Sequence, residues 1–126
     1  MRLLLDSHVL LWWAADDPRL AAAARDAVNT PSNEVFLSAA SVWELGIKAV
    51  AGRLDMPRDL VSRALSEGVR PLPIEPTHAA DAAALPPHHR DPFDRMLIAQ
   101  ARRESMTLVT ADAALGRYDV PTLPAA

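Results

Sequence analysis

Along the first fifteen residues the apolar positions come in two blocks, Leu3-Leu4-Leu5 and Val9 to Ala15, separated by Asp6-Ser7-His8. The first block is too short for a helix and reads as a buried strand; HVLLWWAA after it reads as helical. Asp17-Pro18 has the form of an N-cap followed by proline at the first helical position, which predicts an Ala-rich helix to about Asn29. EVFLS predicts a second strand. In AASVWELGIKAVAG, Val42, Leu45 and Val50 fall at helical intervals with Gly52 as the stop, and DLVSRALSEG predicts another amphipathic helix closed by Gly68. VRPLPIE allows a third strand, which its two prolines confine to an edge or an irregular path. PTHAADAAAL predicts a helix ended by Pro86-Pro87, and Asp91-Pro92 repeats the cap-then-proline signal before FDRMLIAQARRE. MTLVT predicts a strand, a short helical turn follows from Ala113, and a last strand lies near Val120 to Leu123. Strands alternate with helices throughout, so the pattern predicts an α/β fold, a sandwich of helices on both faces of a mostly parallel sheet. With 126 residues and no repeat, linker or low-complexity tract, one domain over residues 1–126 is expected.

Composition narrows the class. Half the residues are hydrophobic and 23% are charged, the balance of a globular chain rather than a disordered one. The longest apolar run, Val9 to Ala15, falls far short of the roughly 20 residues that cross a bilayer, and Asp6 interrupts the N-terminal run before it reaches the length of a signal peptide. The absence of cysteine excludes disulfides and thiolate zinc sites and makes the cytoplasm the expected location. A net charge of −3 argues weakly against a nucleic-acid partner. If several of the 16 acids are gathered on a metal, the remaining surface is close to balanced against 13 basic residues and nucleic acid is not excluded.

The acids fall where such a cluster would form. Ligands of open parallel sheets bind beyond the carboxyl ends of the strands. Asp6 directly follows Leu3-Leu4-Leu5 and Asp112 follows Leu108-Val109-Thr110, so both belong to that edge. Glu44 and Asp94 lie in the first or second turn of helices that begin there. Each acid also has a structural explanation. Asp6 and Asp112 have the positions of helix caps, Ser41-x-x-Glu44 and Asp91-x-x-Asp94 have the form of capping boxes, and Glu44 with Lys48 has the spacing of an exposed helical ion pair. Caps do not account for the coincidence. Two carboxylates 5 Å apart repel by roughly 3 kcal/mol at an effective dielectric of 20, and a divalent cation would remove that cost. An all-oxygen ligand set suits Mg²⁺ or Mn²⁺ better than zinc. The four histidines, His8, His78, His88 and His89, show no ligand spacing and are expected in loops or at the surface.

LLLDSHVLLW, the stretch from Ser38 to Lys48 containing SVWELGIK, HRDPFDRMLIAQA and LVTAD together resemble the PIN-domain proteins of the VapC type, ribonuclease toxins of bacterial toxin–antitoxin pairs. The resemblance covers nearly the whole chain, with the motifs in the family's order. It implies a three-layer α/β/α fold and metal-assisted hydrolysis of RNA phosphodiesters, with Asp6, Glu44, Asp94 and Asp112 as the acidic set holding Mg²⁺ or Mn²⁺. Asp6, Asp94 and Asp112 would ligate metal directly, while Glu44 would ligate it or orient the water. Of the two acids in DPFD the second matches the catalytic position, which leaves Asp91 to capping or support; Ser7 and Thr110 match hydroxyl residues that accompany the acids. Lys48 and Arg95 are placed to meet RNA phosphates. The resemblance also implies a homodimer and a small VapB-type antitoxin partner. Trp12 and Trp13, about 100° apart on one helix, cannot both point into the core, so one of them is expected to line an antitoxin groove.

Other readings are weaker or differ in consequence. A dehalogenase-like phosphotransferase wants D-x-D after the first strand, where this chain has His8; a receiver-like fold wants a lysine after a late strand, whereas the one lysine is Lys48. A flap-type nuclease needs more length. A catalytically silent PIN scaffold or RNA-binding protein stays open, with the full acidic set against it.

Overall fold

The computed structural model describes residues 1–126. Its strands are β1 (Arg2–Leu5), β2 (Glu34–Ser38), β3 (Arg70–Leu72), β4 (Thr107–Thr110) and β5 (Thr122–Pro124), which form one sheet in the order β3-β2-β1-β4-β5. Every neighbouring pair is parallel, so the sheet is wholly rather than mostly parallel. The helices are α1 (Ser7–Ala14), α2 (Ala22–Asn29), α3 (Ala39–Val50), α4 (Leu60–Ser66), α5 (Pro76–Ala84) and α6 (Pro92–Arg103), with a 3-10 turn over Ala113–Arg117.

Alternation along the central strand produces the layers. Leu4 pairs in register with Phe36 and Leu108, and its side chain enters a cluster with Leu97, Ile98 and Met106 beneath α6. Leu3 and Leu5 point the other way, into a cluster with Val9, Leu10, Leu45 and Leu60 from α1, α3 and α4. A strand buried on both faces has no polar side, which is why RLLL reads as an unbroken apolar run. No helix is long and apolar enough to cross a membrane.

Three boundaries differ from the sequence pattern, each for a local reason. Asp17 does not cap a helix: its carboxylate accepts from Arg19 N at 2.9 Å and pairs with the Arg19 guanidinium at 2.7 Å, closing a turn just after Asp16, whose φ of 50° takes the chain out of α1. Helix α2 therefore starts only at Ala22. Helix α3 is capped by Ser38, whose hydroxyl accepts from Ala40 N at 3.0 Å. Ser41 and Glu44 thus lie inside the helix, both buried, and form no capping box; the Ser41 hydroxyl has no partner. The last strand is displaced toward the C-terminus, pairing Thr122 with Leu108. Gly52 at 73° and Gly68 at 98° supply the positive φ that ends α3 and α4.

The chain runs outward from β1 to β2 and β3, then returns to the opposite side of β1 to form β4 and β5. The reversal puts the switch point between β1 and β4, at the carboxyl edge where Asp6 and Asp112 emerge.

Candidate active site

Asp6 is buried, at 8% exposure, and caps α1. Its Oδ1 accepts from Ser7 N at 2.6 Å and its Oδ2 from the Thr110 hydroxyl at 2.8 Å. The Ser7 hydroxyl has one proton and lies 2.8 Å from Glu44 Oε1 but 3.4 Å from Asp6 Oδ1, so it donates to Glu44. Lys48 Nζ donates to the other oxygen, Glu44 Oε2, at 3.1 Å. This ion pair has the expected i,i+4 spacing but is not exposed, because Glu44 is buried against α1. The two hydroxyls thus tie Asp6 and Glu44 into one network from β1, α3 and β4.

Asp94 enters from the first turn of α6. Asp91 caps this helix, its Oδ1 accepting from Phe93 N at 2.8 Å and Asp94 N at 3.1 Å. Asp94 does not reach back to complete a box; its Oδ2 lies 2.7 Å from His89 Nε2. Asp112 caps the 3-10 turn, with Oδ1 accepting from Ala114 N at 2.9 Å, and its Oδ2 lies 3.6 Å from the same His89 nitrogen. Burial pushes the Asp94 carboxyl up to about 6; the nearby charges of Asp6 and Asp91 add to this, and His89 opposes it.

The four acids, with Ser7 and Lys48, line one cleft of ≈ 360 Å³ at the carboxyl edge of the sheet, and Asp91, His8 and Trp12 border it. Asp6 receives only neutral donors, so the cleft carries more negative charge than Lys48 and His89 can offset. Its donors are carboxylate oxygens plus one imidazole, and His89, Asp94 and Asp112 offer ligand atoms within 4.8 Å of one another. That chemistry fits a divalent cation.

Several side chains sit elsewhere than the sequence suggests. The Arg95 guanidinium is taken up within the chain: it donates to the carbonyls of Ala82, Leu85, Pro86 and His89 at 2.8–3.1 Å, at the end of α5 and in the loop that leads to α6. His89 is part of the acidic cluster, and His78 is fully buried, accepting from Glu75 N through Nδ1 at 2.9 Å and facing Glu104 through Nε2. His8 and His88 are exposed. Trp12 and Trp13 are both half-buried, so neither points wholly into the core. The Trp13 indole donates to Asn29 at 3.0 Å, while Trp12 lies under the Arg19 guanidinium, 5.4 Å from it. His89 had no sequence signal beyond its place two residues before Asp91.

Residues 3–121 match the family model described as PIN domain. The chain is 38% identical over 121 residues to Ribonuclease VapC22 of Mycobacterium tuberculosis, a match covering 94% of this chain and 92% of that protein. Among solved structures, VapBC2 from Rickettsia felis bound to a promoter DNA fragment superposes with a TM-score of 0.75 at 12% identity, covering 100% of both chains. VapBC-1 from nontypeable Haemophilus influenzae gives 0.67 at 18% identity, covering 98% of both. At such identities these two establish a shared fold.

Proposed function

Because this chain belongs to the PIN-domain family, we propose that it is a metal-dependent endoribonuclease acting in the cytoplasm as the toxin of a toxin–antitoxin pair. The observation that carries the reading is the meeting of Asp6, Glu44, Asp94 and Asp112, from four separate segments, in one cleft. Asp6, Asp94 and Asp112 are the residues to hold Mg²⁺ or Mn²⁺, with Glu44 beside them. When bound, the cation lowers the pKa of a water and neutralises charge on the scissile phosphate.

The chain's own groups prepare that site. Thr110 and the Ser7 amide fix both oxygens of Asp6, so its carboxylate keeps one orientation. The Ser7 hydroxyl and Lys48 fix both oxygens of Glu44, which leaves it to orient a water or complete the ligand set rather than swing freely. Lys48, half-buried at the rim, is the cation in place to meet an RNA phosphate. Such preorganisation removes the reorganisation cost at the reacting centre. The same reading supplies the partners: an RNA substrate, a VapB-type antitoxin and a second copy of the chain. The named relative is a ribonuclease, which favours an enzyme over a silent PIN scaffold.

The deciding experiment combines substitution and chelation. Cleavage of a single-stranded RNA pool should require Mg²⁺ or Mn²⁺ and disappear in Asp94→Asn. Full activity in excess EDTA, or in Asp94→Asn, would remove this mechanism.

A further inference from the structure

The loop that carries His89 is held from two sides. Arg95 donates to Pro86 O at 3.0 Å and His89 O at 3.1 Å. The Tyr118 hydroxyl donates to Pro86 O at 2.8 Å and accepts from His89 N at 2.9 Å, and the His88 ring stands edge-on to the Tyr118 ring at 5.2 Å. Both backbone polar groups of His89 are therefore fixed by side chains from other parts of the fold, and its imidazole faces Asp94 and Asp112. A solvated loop histidine needs no such anchoring.

His89 Nε2 stands between the two carboxylates. This nitrogen lies 2.7 Å from Asp94 Oδ2 and 3.6 Å from Asp112 Oδ2. Ligand atoms about 2.1 Å from an octahedral ion stand roughly 3 Å apart, a spacing these two values bracket. We propose that His89 Nε2 is a ligand of the cation held by Asp94 and Asp112, and that this nitrogen makes the centre prefer Mn²⁺ to Mg²⁺. Mg²⁺ is a hard ion that takes oxygen, whereas imidazole is a good donor to first-row transition ions. The inference rests on the ribonuclease reading only in that the reading puts a divalent cation in this cleft. The opposite role is also physically definite: a protonated imidazole standing in the cation's place would compete with it.

The two roles have opposite signs in a binding measurement. Mn²⁺ and Mg²⁺ are added separately to the metal-free full chain in a calorimeter, and pulsed electron paramagnetic resonance of bound Mn²⁺ reports whether nitrogen is in its shell. The wild type is expected to bind Mn²⁺ more tightly than Mg²⁺ and to show nitrogen coupling. His89→Ala and His89→Gln, the second keeping most of the side-chain volume, are expected to weaken Mn²⁺ about tenfold or more and to lose the coupling, while Mg²⁺ affinity moves far less. Tighter Mn²⁺ binding in the variants would overturn the assignment in favour of a competing imidazole. Unchanged affinity without nitrogen coupling would overturn it while leaving the carboxylate site standing. No Mn²⁺ binding by the folded wild type would overturn both the ligand and the metal mechanism.

Discussion

Desolvation lifts Asp94 to about 6, so the folded chain without metal holds a proton there that the unfolded chain, with an ordinary carboxyl near 3.8, has already released. The folded state binds more protons between those two values, so this group's contribution to stability falls as pH rises through that window and levels off above it. The side chain is still 16% exposed, and after solvent screening the loss is on the order of 1–2 kcal/mol. Asp94→Asn removes the titration. It should melt at the same temperature as the wild type near pH 4 and higher at pH 7 in EDTA, while Mn²⁺ affinity and cleavage are lost. A variant less stable than the metal-free wild type at pH 7 would show that Asp94 is not electrostatically strained. Asp6 is held instead by two neutral donors, the Ser7 amide and the Thr110 hydroxyl. A carboxylate there between two apolar blocks serves at once as the cap of α1 and as the first member of the cleft.

At the scale of elements, cap signals and chemical signals coincide, and the sequence separates them only in part. Asp91 and Asp112 do cap the elements they precede, whereas Asp17 makes a turn and Ser41 lies inside a helix. The sequence pattern marks a place where backbone N–H groups need an acceptor, and more than one backbone path satisfies it. The central strands β1, β2 and β4 were legible because burial on both faces leaves no polar residue in their interiors, whereas the edge strands β3 and β5 are largely exposed and carry no such signal. Asp6 and Asp112 were legible because they come just after strands, and Asp94 and Glu44 because they lie in the first and second turns of helices that begin at the same edge. His89 and Arg95 were not, since the path of the loop between α5 and α6, which carries His89 and which Arg95 contacts, depends on Tyr118, 29 residues from His89. Two substitutions test this division. Asp91→Ala should cost about 0.5–2 kcal/mol of stability with metal binding retained, and a loss of turnover without a change in melting would move Asp91 into the reaction. Arg95→Lys should destabilise by about 1–3 kcal/mol although the charge is kept, because one ammonium cannot span the carbonyls that the guanidinium fork joins. An unchanged melting temperature would mean that the loop does not depend on this clamp.

For the whole molecule, surface chemistry divides between the proposed partners. Trp43, Ile47 and Val50 repeat at i, i+4 and i+7 on α3 and are exposed, Trp43 at 64%. An apolar stripe without charge is self-complementary, as a twofold contact requires. Ile47→Asp should turn a micromolar dimer into a monomer in light scattering; a monomeric wild type would contradict this. The antitoxin needs a different face, one continuous with the acids if binding is to stop cleavage. Trp12 has that position. Its ring borders the acidic cleft and also lines a neighbouring trough of ≈ 390 Å³ with Leu11, Leu54, Pro57 and Leu60. A peptide lying in the trough ends over the carboxylates, so one contact both anchors it and covers the site. Trp13 turns instead toward Asn29, where it joins α1 to the end of α2. Trp12→Ala should therefore weaken the antitoxin complex by about 2 kcal/mol, roughly 30-fold in Kd, with the fold retained. Trp13→Ala should lower the melting temperature and leave affinity within a few-fold. If both variants stay folded and bind as the wild type does, the antitoxin lies elsewhere and Trp12 is only a wall of the cleft.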